Sequence, residues 1–458
     1  MLQTAIDRYH QILQDGAWQE TQRALTAMQQ EQGLFFGTRP LVSVLRPRLI
    51  SRAQYAMLQH ACGLVGGALR TLGDAMLGDA TLRASIALTP QEEALVHMDP
   101  GYAEHSAHSR MDTFLTIDGQ SLQFVEYNGE SPAAIAYEDS LSAVFLELPA
   151  MRAFAKEYSV ATLPARHKLL ETLLTAWRSF GGSTAPRVAI LDWNGLPTRS
   201  EFLLFQRYFH EHGIEAAICT PDHLIYRDGR LLATRYETLG QTGGDFPIDL
   251  VYKRVLTSEL LQTYGDDALA HPLMLAYAAG KVCVVNSFRA KLLHKKAIFA
   301  LLTDDALQPM FTPEQRQAIA AHVPWTRMVQ RGETRYQGDA IELLDFARRN
   351  KERLILKPND EYGGKGIVIG WESSADQWDT ALADALATPS VVQERVTIAY
   401  EDYPAVIDGQ LQIGRRLVDT DPFMFGSEVT GTLCRLSTVT LLNVTAGGGS
   451  TVPAFVLE

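Results

Sequence analysis

Residues 110–131 read RMDTFLTIDGQSLQFVEYNGES, two runs of β-forming residues around an Asp118-Gly119 turn. Side chains alternate faces along a strand, so the loop length decides whether the acids Asp112 and Glu126 meet. A two-residue turn at Asp118-Gly119 sets Asp112 opposite Val125 and sends Glu126 to the other face. A three-residue turn over Ile117, Asp118 and Gly119, with Gly119 left-handed in a bulge, pairs Arg110 with Glu126 and Asp112 with Phe124. The second register is the one expected. It gathers Arg110, Asp112, Glu126 and Asn128 on one face and leaves Met111, Leu115, Ile117, Val125 and Tyr127 to pack against a core. Two carboxylates about 4 Å apart repel by about 4 kcal/mol at an effective dielectric near 20, so such a face calls for a cation. All three candidate ligands, Asp112, Glu126 and Asn128, are oxygen donors, which points to Mg²⁺. The plain alternative is a solvated hairpin on which Arg110 pairs with Glu126.

Far downstream, residues 354–370 read LILKPNDEYGGKGIVIG. Leu354 to Lys357 reads as a buried strand ending at Pro358, and Gly366 to Trp371 as the next strand. A Walker loop would run GxxxxGK[ST] into a helix; here no helix follows, so the glycines join two strands. Gly363, Gly364 and Gly366 let backbone N–H groups turn toward a phosphate, Lys365 adds charge in the loop, and Lys357 reaches phosphates from the strand. Taken alone, GGKG is more often a tight hairpin turn than a phosphate loop. Residues 390–396, SVVQERV, place Gln393 and Glu394 at the end of a strand suited to an adenine edge, or to an ordinary amphipathic strand. In NSFRAKLLHKKAIFALLTDD, Lys295 and Lys296 open an apolar helix, where a cation opposes the helix dipole unless an anion is near.

Together these segments resemble the ATP-grasp superfamily, specifically its circularly permuted branch typified by the synthetase domain of glutathionylspermidine synthase. In that branch the metal-binding hairpin precedes the nucleotide-binding strands. The resemblance covers about residues 105–458 and is most specific from Arg110 to Ser131. It implies an α/β (α+β) ATP-grasp fold in permuted order, with Asp112, Glu126 and Asn128 on Mg²⁺ and Arg110 on the transferred phosphate. LVYKR, HKKAIF and LILKP then supply Lys253, Lys296 and Lys357 as nucleotide lysines, and Gln393 and Glu394 form the hinge. FMFGSEVTGTLCRLS resembles the family's glycine-rich strand pair, with Arg435 on the substrate side. The implied activity is an ATP-dependent carboxylate–amine ligase working through an acyl phosphate, on small-molecule acid and amine substrates. Alternatives on the same fold are a phosphotransferase and a non-catalytic ATP-binding regulator. The amidase domain of bifunctional members has no match.

A chain of 458 residues with 46% hydrophobic content supports several structural units. The expected division is a mainly helical region over 1–104, the metal hairpin and following helices over 105–185, an α/β substrate-side subdomain over 186–290, a nucleotide lid over 291–392, and hinge and C-terminal strands over 393–458. Leu58, Val65, Leu69 and Leu72 fall at helical spacing beside the Gly66-Gly67 pair, which permits close packing. RVAILDWNG, SEFLLFQRYFHEHGI and EAAICT form a β-α-β unit closed by Gly213, with VYKRV and KVCVVNS as further strands. Asp192 and Asn194 sit at a strand's carboxyl end, with turn formation as their expected role; His210 and His212 are expected on the surface. A net charge of −12 argues against nucleic-acid binding. Cys62, Cys219, Cys283 and Cys434 show no CxxC spacing, and no secretion signal or spanning segment is visible, so a cytoplasmic protein off the membrane is expected. The Gly447-Gly448-Gly449 run has no assigned ligand.

Overall fold

The computed structural model describes residues 1–240, 243–439 and 449–458; Gly447 and Gly448 lie outside the described residues. The fold is mixed α/β, with helices around several separate sheets. The N-terminal region is mainly helical, as its periodicity predicts. Its longest helix, Arg52–Gly78, is capped by Ser51, which accepts from the Gln54 amide while the Gln54 side chain accepts from the Ser51 amide. Leu58, Val65, Leu69 and Leu72 are all buried on one face of it. A Cβ on Gly66 would collide with the Met424 side chain, and one on Gly67 would come within 2.8 Å of Gln315. The glycine pair therefore admits a strand residue on one side and the helix Pro313–His322 on the other.

The acidic hairpin consists of strands His108–Leu115 and Leu122–Asn128. It forms one end of a sheet ordered Tyr400–Ile407, Gln410–Val418, Glu428–Ser437, Asp421–Phe425, His108–Leu115, Leu122–Asn128. Phe423 pairs with Arg110 and Met424 with Ser109, so this early hairpin is completed by strands from the far end of the chain. The expected register of the hairpin is corrected in one respect. Leu115 pairs with Leu122 and Thr113 with Phe124, the register of the tighter turn; beyond them Val125 is an inserted residue, and Asp112 pairs with Glu126 and Arg110 with Asn128. The bulge lies within the strand, not at the turn, and has the same effect: the four polar residues return to one face. Gly119 is left-handed, φ 72°, within a loop that also includes Gln120. Val125 consequently joins the polar face, while Met111, Leu115, Phe124 and Tyr127 are buried with the apolar side of the Arg52–Gly78 helix.

The predicted β-α-β unit is present. Val188–Leu191 and Ala216–Cys219 are parallel neighbours connected by the helix Arg199–Glu211, and Leu250–Lys253 and Cys283–Val285 extend the parallel sheet on the other side. Gly213, φ 75°, ends the helical segment, and His210 and His212 are exposed.

A third layer is an antiparallel sheet ordered Thr326–Met328, Ser390–Glu394, Leu354–Pro358, Val368–Ile369. The strand expected over Gly366 to Trp371 is only Val368–Ile369, because the chain tightens into a turn over Gly370–Glu372. Lys351, in the turn Lys351–Arg353 ahead of the Leu354–Pro358 strand, donates to the carbonyls of Gly370 and Ser373 and ties the two turns together. A Cβ at Gly370 would overlap the Lys351 carbonyl and approach that of Leu354 within 2.7 Å. Gly370→Ala is expected to lower stability by about 1–3 kcal/mol, as overpacking against rigid backbone does. A denaturant titration showing an unchanged midpoint would refute that close approach.

Candidate functional site

A cavity of about 170 Å³ lies between the acidic hairpin and the antiparallel sheet of residues 326–394. From the hairpin it takes Arg110, Asp112, Glu126 and Asn128; from the sheet and its loop, Lys357, Gly363, Gly364, Gln393 and Glu394; from the C-terminal strands, Arg435. Ten side chains or loop positions singled out in sequence, more than 300 residues apart at the extremes, thus share one wall.

The bulge makes Asp112 and Glu126 direct cross-strand partners, and cations hold both. Arg110 grips Asp112 in a two-pronged pair at 2.8 and 3.2 Å, Arg435 reaches its other edge at 2.6 Å, and the Asn128 amide donates at 2.7 Å. Burial alone would raise the Asp112 pKa, but Arg110 and Arg435 outweigh it and bring it down to about 2. Lys296 pairs with Glu126 at 2.8 Å and likewise holds it below the usual carboxylate range against the effect of burial. The repulsion that called for a cation is therefore met by three side chains of the protein, so it is not by itself a metal signature. Arg435 also touches Asp419 at 2.6 Å and Asp421 at 2.9 Å, two carboxylates that sequence reading missed. Burial raises both of their pKa values, Asp421 strongly so beside Asp112 and Asp419. The available signal was LVDTDPFMF, two acids inside an otherwise apolar strand sequence.

Lys357 stands in a different position. Only 7% exposed, its ammonium donates to Gln393 Oε1 at 2.7 Å and to the Val125 carbonyl at 3.0 Å. Among the described residues it has no carboxylate within 4.0 Å. Burial lowers its pKa to about 8, and the more distant Glu126 offsets only part of the effect. A buried cation held by neutral acceptors at a cavity wall is a ready site for an anion.

The glycine loop lies beside it. Gly363, Gly364 and Gly366 all have positive φ, 64°, 76° and 71°. Gly363 and Gly364 face the cavity; Gly366 does not, and its lost Cβ instead makes room for Pro358. Lys365 is exposed and pairs with Glu361 at 3.3 Å, outside the cavity lining. Lys253 is also outside it. Fully buried, it is bonded to Glu130 at 2.7 Å, and Glu130 in turn lies near Lys291. Lys291 binds Asp360 at 2.7 Å and Lys296 donates to the Glu361 carbonyl, so the base of the glycine loop is fastened by two lysines, of which Lys296 also holds the hairpin acid Glu126. Lys291, Glu130 and Asp360 were not singled out in sequence, and their pairing over 69 to 161 residues leaves no local pattern to read. The expected hinge side chains are present but engaged: Gln393 with Lys357 and Thr326, Glu394 with Arg353 and Tyr336 at 2.7 and 2.8 Å. The lining also includes Ile355, Ile369, Val396 and Ile398 with Trp371.

Among the described residues no group of three or more His, Cys, Asp or Glu side chains is arranged to hold a metal ion. Asp112, Glu126 and Asn128 are two acids and an amide, and Mg²⁺ takes just one or two protein carboxylates when phosphate and water complete its shell, so this donor set fits by chemistry. No helix among the described residues is long and apolar enough to cross a membrane.

No protein-family model matches the chain. In sequence it is 24% identical over 457 residues to a putative glutamate–cysteine ligase of Frankia alni, covering 93% of this chain and 49% of that protein. It is 28% identical over 220 residues to an uncharacterized protein of Mycobacterium tuberculosis, covering 46% of this chain and 37% of the other. The chain spans about half the length, or less, of the curated relatives it matches. In structure it is similar to a glutathione synthetase-like effector from Globodera pallida, solved without ligand, with a TM-score of 0.58 and 14% identity over 96% of both chains. Overlap of that extent at so low an identity establishes a shared fold, and the chain is therefore built on the same mixed α/β scaffold as a glutathione synthetase-like protein.

Proposed function

We propose that the protein is an ATP-dependent carboxylate–amine ligase on a circularly permuted ATP-grasp fold, forming an amide bond through an acyl phosphate and releasing ADP and phosphate. The observation that carries this reading is Lys357, a buried ammonium with no carboxylate within 4.0 Å among the described residues, facing the same cavity as the acidic hairpin and two left-handed glycines. The name of the Frankia alni relative, a putative glutamate–cysteine ligase, and the glutathione synthetase-like fold support the reaction class.

In this reading the triphosphate lies along the Gly363-Gly364 backbone with its charge on Lys357 and Lys296. Asp112, Glu126 and Asn128 would hold Mg²⁺, which when bound supplies neutralisation of phosphoryl oxygens. A substrate carboxylate attacks the γ-phosphorus, ADP departs, and an amine then displaces phosphate from the acyl carbon. Arg110, fixed by Asp112 and by the Ala133 carbonyl, is placed to stabilise charge on the phosphoryl group in flight. Arg435 keeps Asp112, Asp419 and Asp421 from repelling one another. No side-chain nucleophile is required, since positioning and electrostatics carry phosphoryl transfer. Lys253 is assigned to holding Glu130, and Lys365 to the outer face of the loop.

Asp112→Asn and Glu126→Gln are expected to abolish ADP release, measured across pooled amino acids, peptides and polyamines, with the fold retained by circular dichroism. Full turnover in both would remove the metal assignment. Chelation should stop the wild-type reaction and added Mg²⁺ restore it. Hydroxylamine should trap a hydroxamate; a stable phosphoester in its place would identify a phosphotransferase. Lys357 also sets a pH dependence. With a free-state pKa of about 8, its charge is present below that value and lost above it, so ATP affinity should fall by up to about tenfold per pH unit above pH 8. Calorimetry on Lys357→Met should show weaker binding with that pH slope removed.

A further inference from the structure

We propose that the protein carries a second small-molecule site, for a free α-amino acid, between its first helix, Leu2–Ile12, and the strand pair Tyr400–Ile407 and Gln410–Val418. A cavity of about 230 Å³ lies there and shares no lining residue with the one that holds Lys357. The inference does not depend on the nucleotide reading.

The inner wall of this cavity has surplus positive charge. Arg46 and Arg48 are both fully buried, and among the described residues the one carboxylate within 4.0 Å of either is that of Glu401, also buried. Two guanidiniums on one carboxylate leave a positive charge uncompensated inside the protein, which is costly unless an anion approaches. Arg46 is the one that lines the cavity. Its Nη atoms donate to Glu401 at 2.9 Å and to the Pro47 and Asp402 carbonyls, and its guanidinium lies 3.9 Å from the centre of the Tyr403 ring, but its Nε is buried with no acceptor. His10 Nε2, on the same cavity, is buried and likewise unpartnered. Burial and the nearby Arg46 push the His10 pKa down to about 4, so the ring is neutral at physiological pH and has one N–H to donate. A carboxylate seated here accepts from Arg46 Nε and, in the Nε2–H tautomer, from His10.

The mouth has the opposite sign. Asp7 and Asp402 are exposed there; Asp7 accepts from the Gln3 amide at 2.8 Å, and the Asp402 carboxylate has no hydrogen bond or ion pair among the described residues. Arg415, the cross-strand neighbour of Asp402, is turned onto the Tyr400 ring, 4.7 Å from its centre. A simple anion would satisfy the buried guanidiniums but meet two aspartates at the entrance, and a simple cation would satisfy the aspartates but face Arg46. A molecule with a carboxylate and an ammonium on one short frame answers both ends, and an α-amino acid is the smallest such class.

The test is calorimetry on the full chain with each standard L-amino acid, without nucleotide. At least one should bind, and its analogues lacking the ammonium or the carboxylate should bind at least tenfold more weakly. His10→Phe removes the N–H and fills the cavity, and should weaken the amino acid about tenfold or more. Asp402→Asn, an exposed change that leaves the buried pairs intact, should weaken it about two- to fivefold. No binding by any amino acid overturns the site, as does an analogue without the ammonium that binds as tightly. Binding undiminished in both variants also overturns it, since the amino acid then sits elsewhere. MgATP titrated into the same wild-type sample reports separately on the nucleotide reading, whose failure would leave this site standing.

Discussion

Buried carboxylates need cations, and that requirement organises the site. Asp112, Glu126, Asp419 and Asp421 are brought into one volume by strand pairing, and Arg110, Arg435 and Lys296 are the side chains that make their burial tolerable. Removing one partner of such a pair leaves an uncompensated buried charge and costs about 3–5 kcal/mol. The cations come from three separated stretches of chain, so the charge balance acts as a set of cross-links: hairpin to C-terminal strand through Arg435, and hairpin to the segment beneath the glycine loop through Lys296. The same device recurs behind the cavity, where Glu130, Lys253, Lys291 and Asp360 link the parallel sheet to the loop base.

Against this compensated background Lys357 is informative because it is not compensated. Its neighbours are a glutamine and a carbonyl, which orient an ammonium without cancelling it. That charge lies beside Gly363 and Gly364, which have positive φ and line the same cavity. The cavity lining combines charged residues such as Lys357 with apolar ones such as Ile355, Ile369 and Ile398.

The hairpin shows where sequence reasoning was sound and where it was indirect. Alternation of faces identified Arg110, Asp112, Glu126 and Asn128 as one group, and they are one group. The mechanism differed: the inserted residue is Val125, in the strand, and nothing in a run of valine, phenylalanine and tyrosine marks which residue a ladder will skip. Repulsion between the acids was read as a call for a metal, yet arginine and lysine from elsewhere in the chain answer it. Lys253 and Lys365 matched plausible motifs and stand outside the cavity lining, because a motif fixes residue type and local strand but not which face of the sheet meets the cleft. Trp371 was read as the end of a strand; the strand stops at Ile369, and the close approach of Gly370 to Lys351 places Trp371 in a turn.

Local periodicity was enough to establish the helix at Arg52–Gly78, the β-α-β unit from Val188 to Cys219, the lysine strand at Leu354–Pro358 and the hairpin itself, since each is decided by side chains within a few residues of one another. The meeting of Asp112 with Arg435, of Glu126 with Lys296, and of Lys357 with Gln393 was decided by tertiary structure alone. Those contacts span 323, 170 and 36 residues, and no pattern along the chain encodes which distant cation a buried acid will find. That choice is made when the sheets pack, and burial makes it binding.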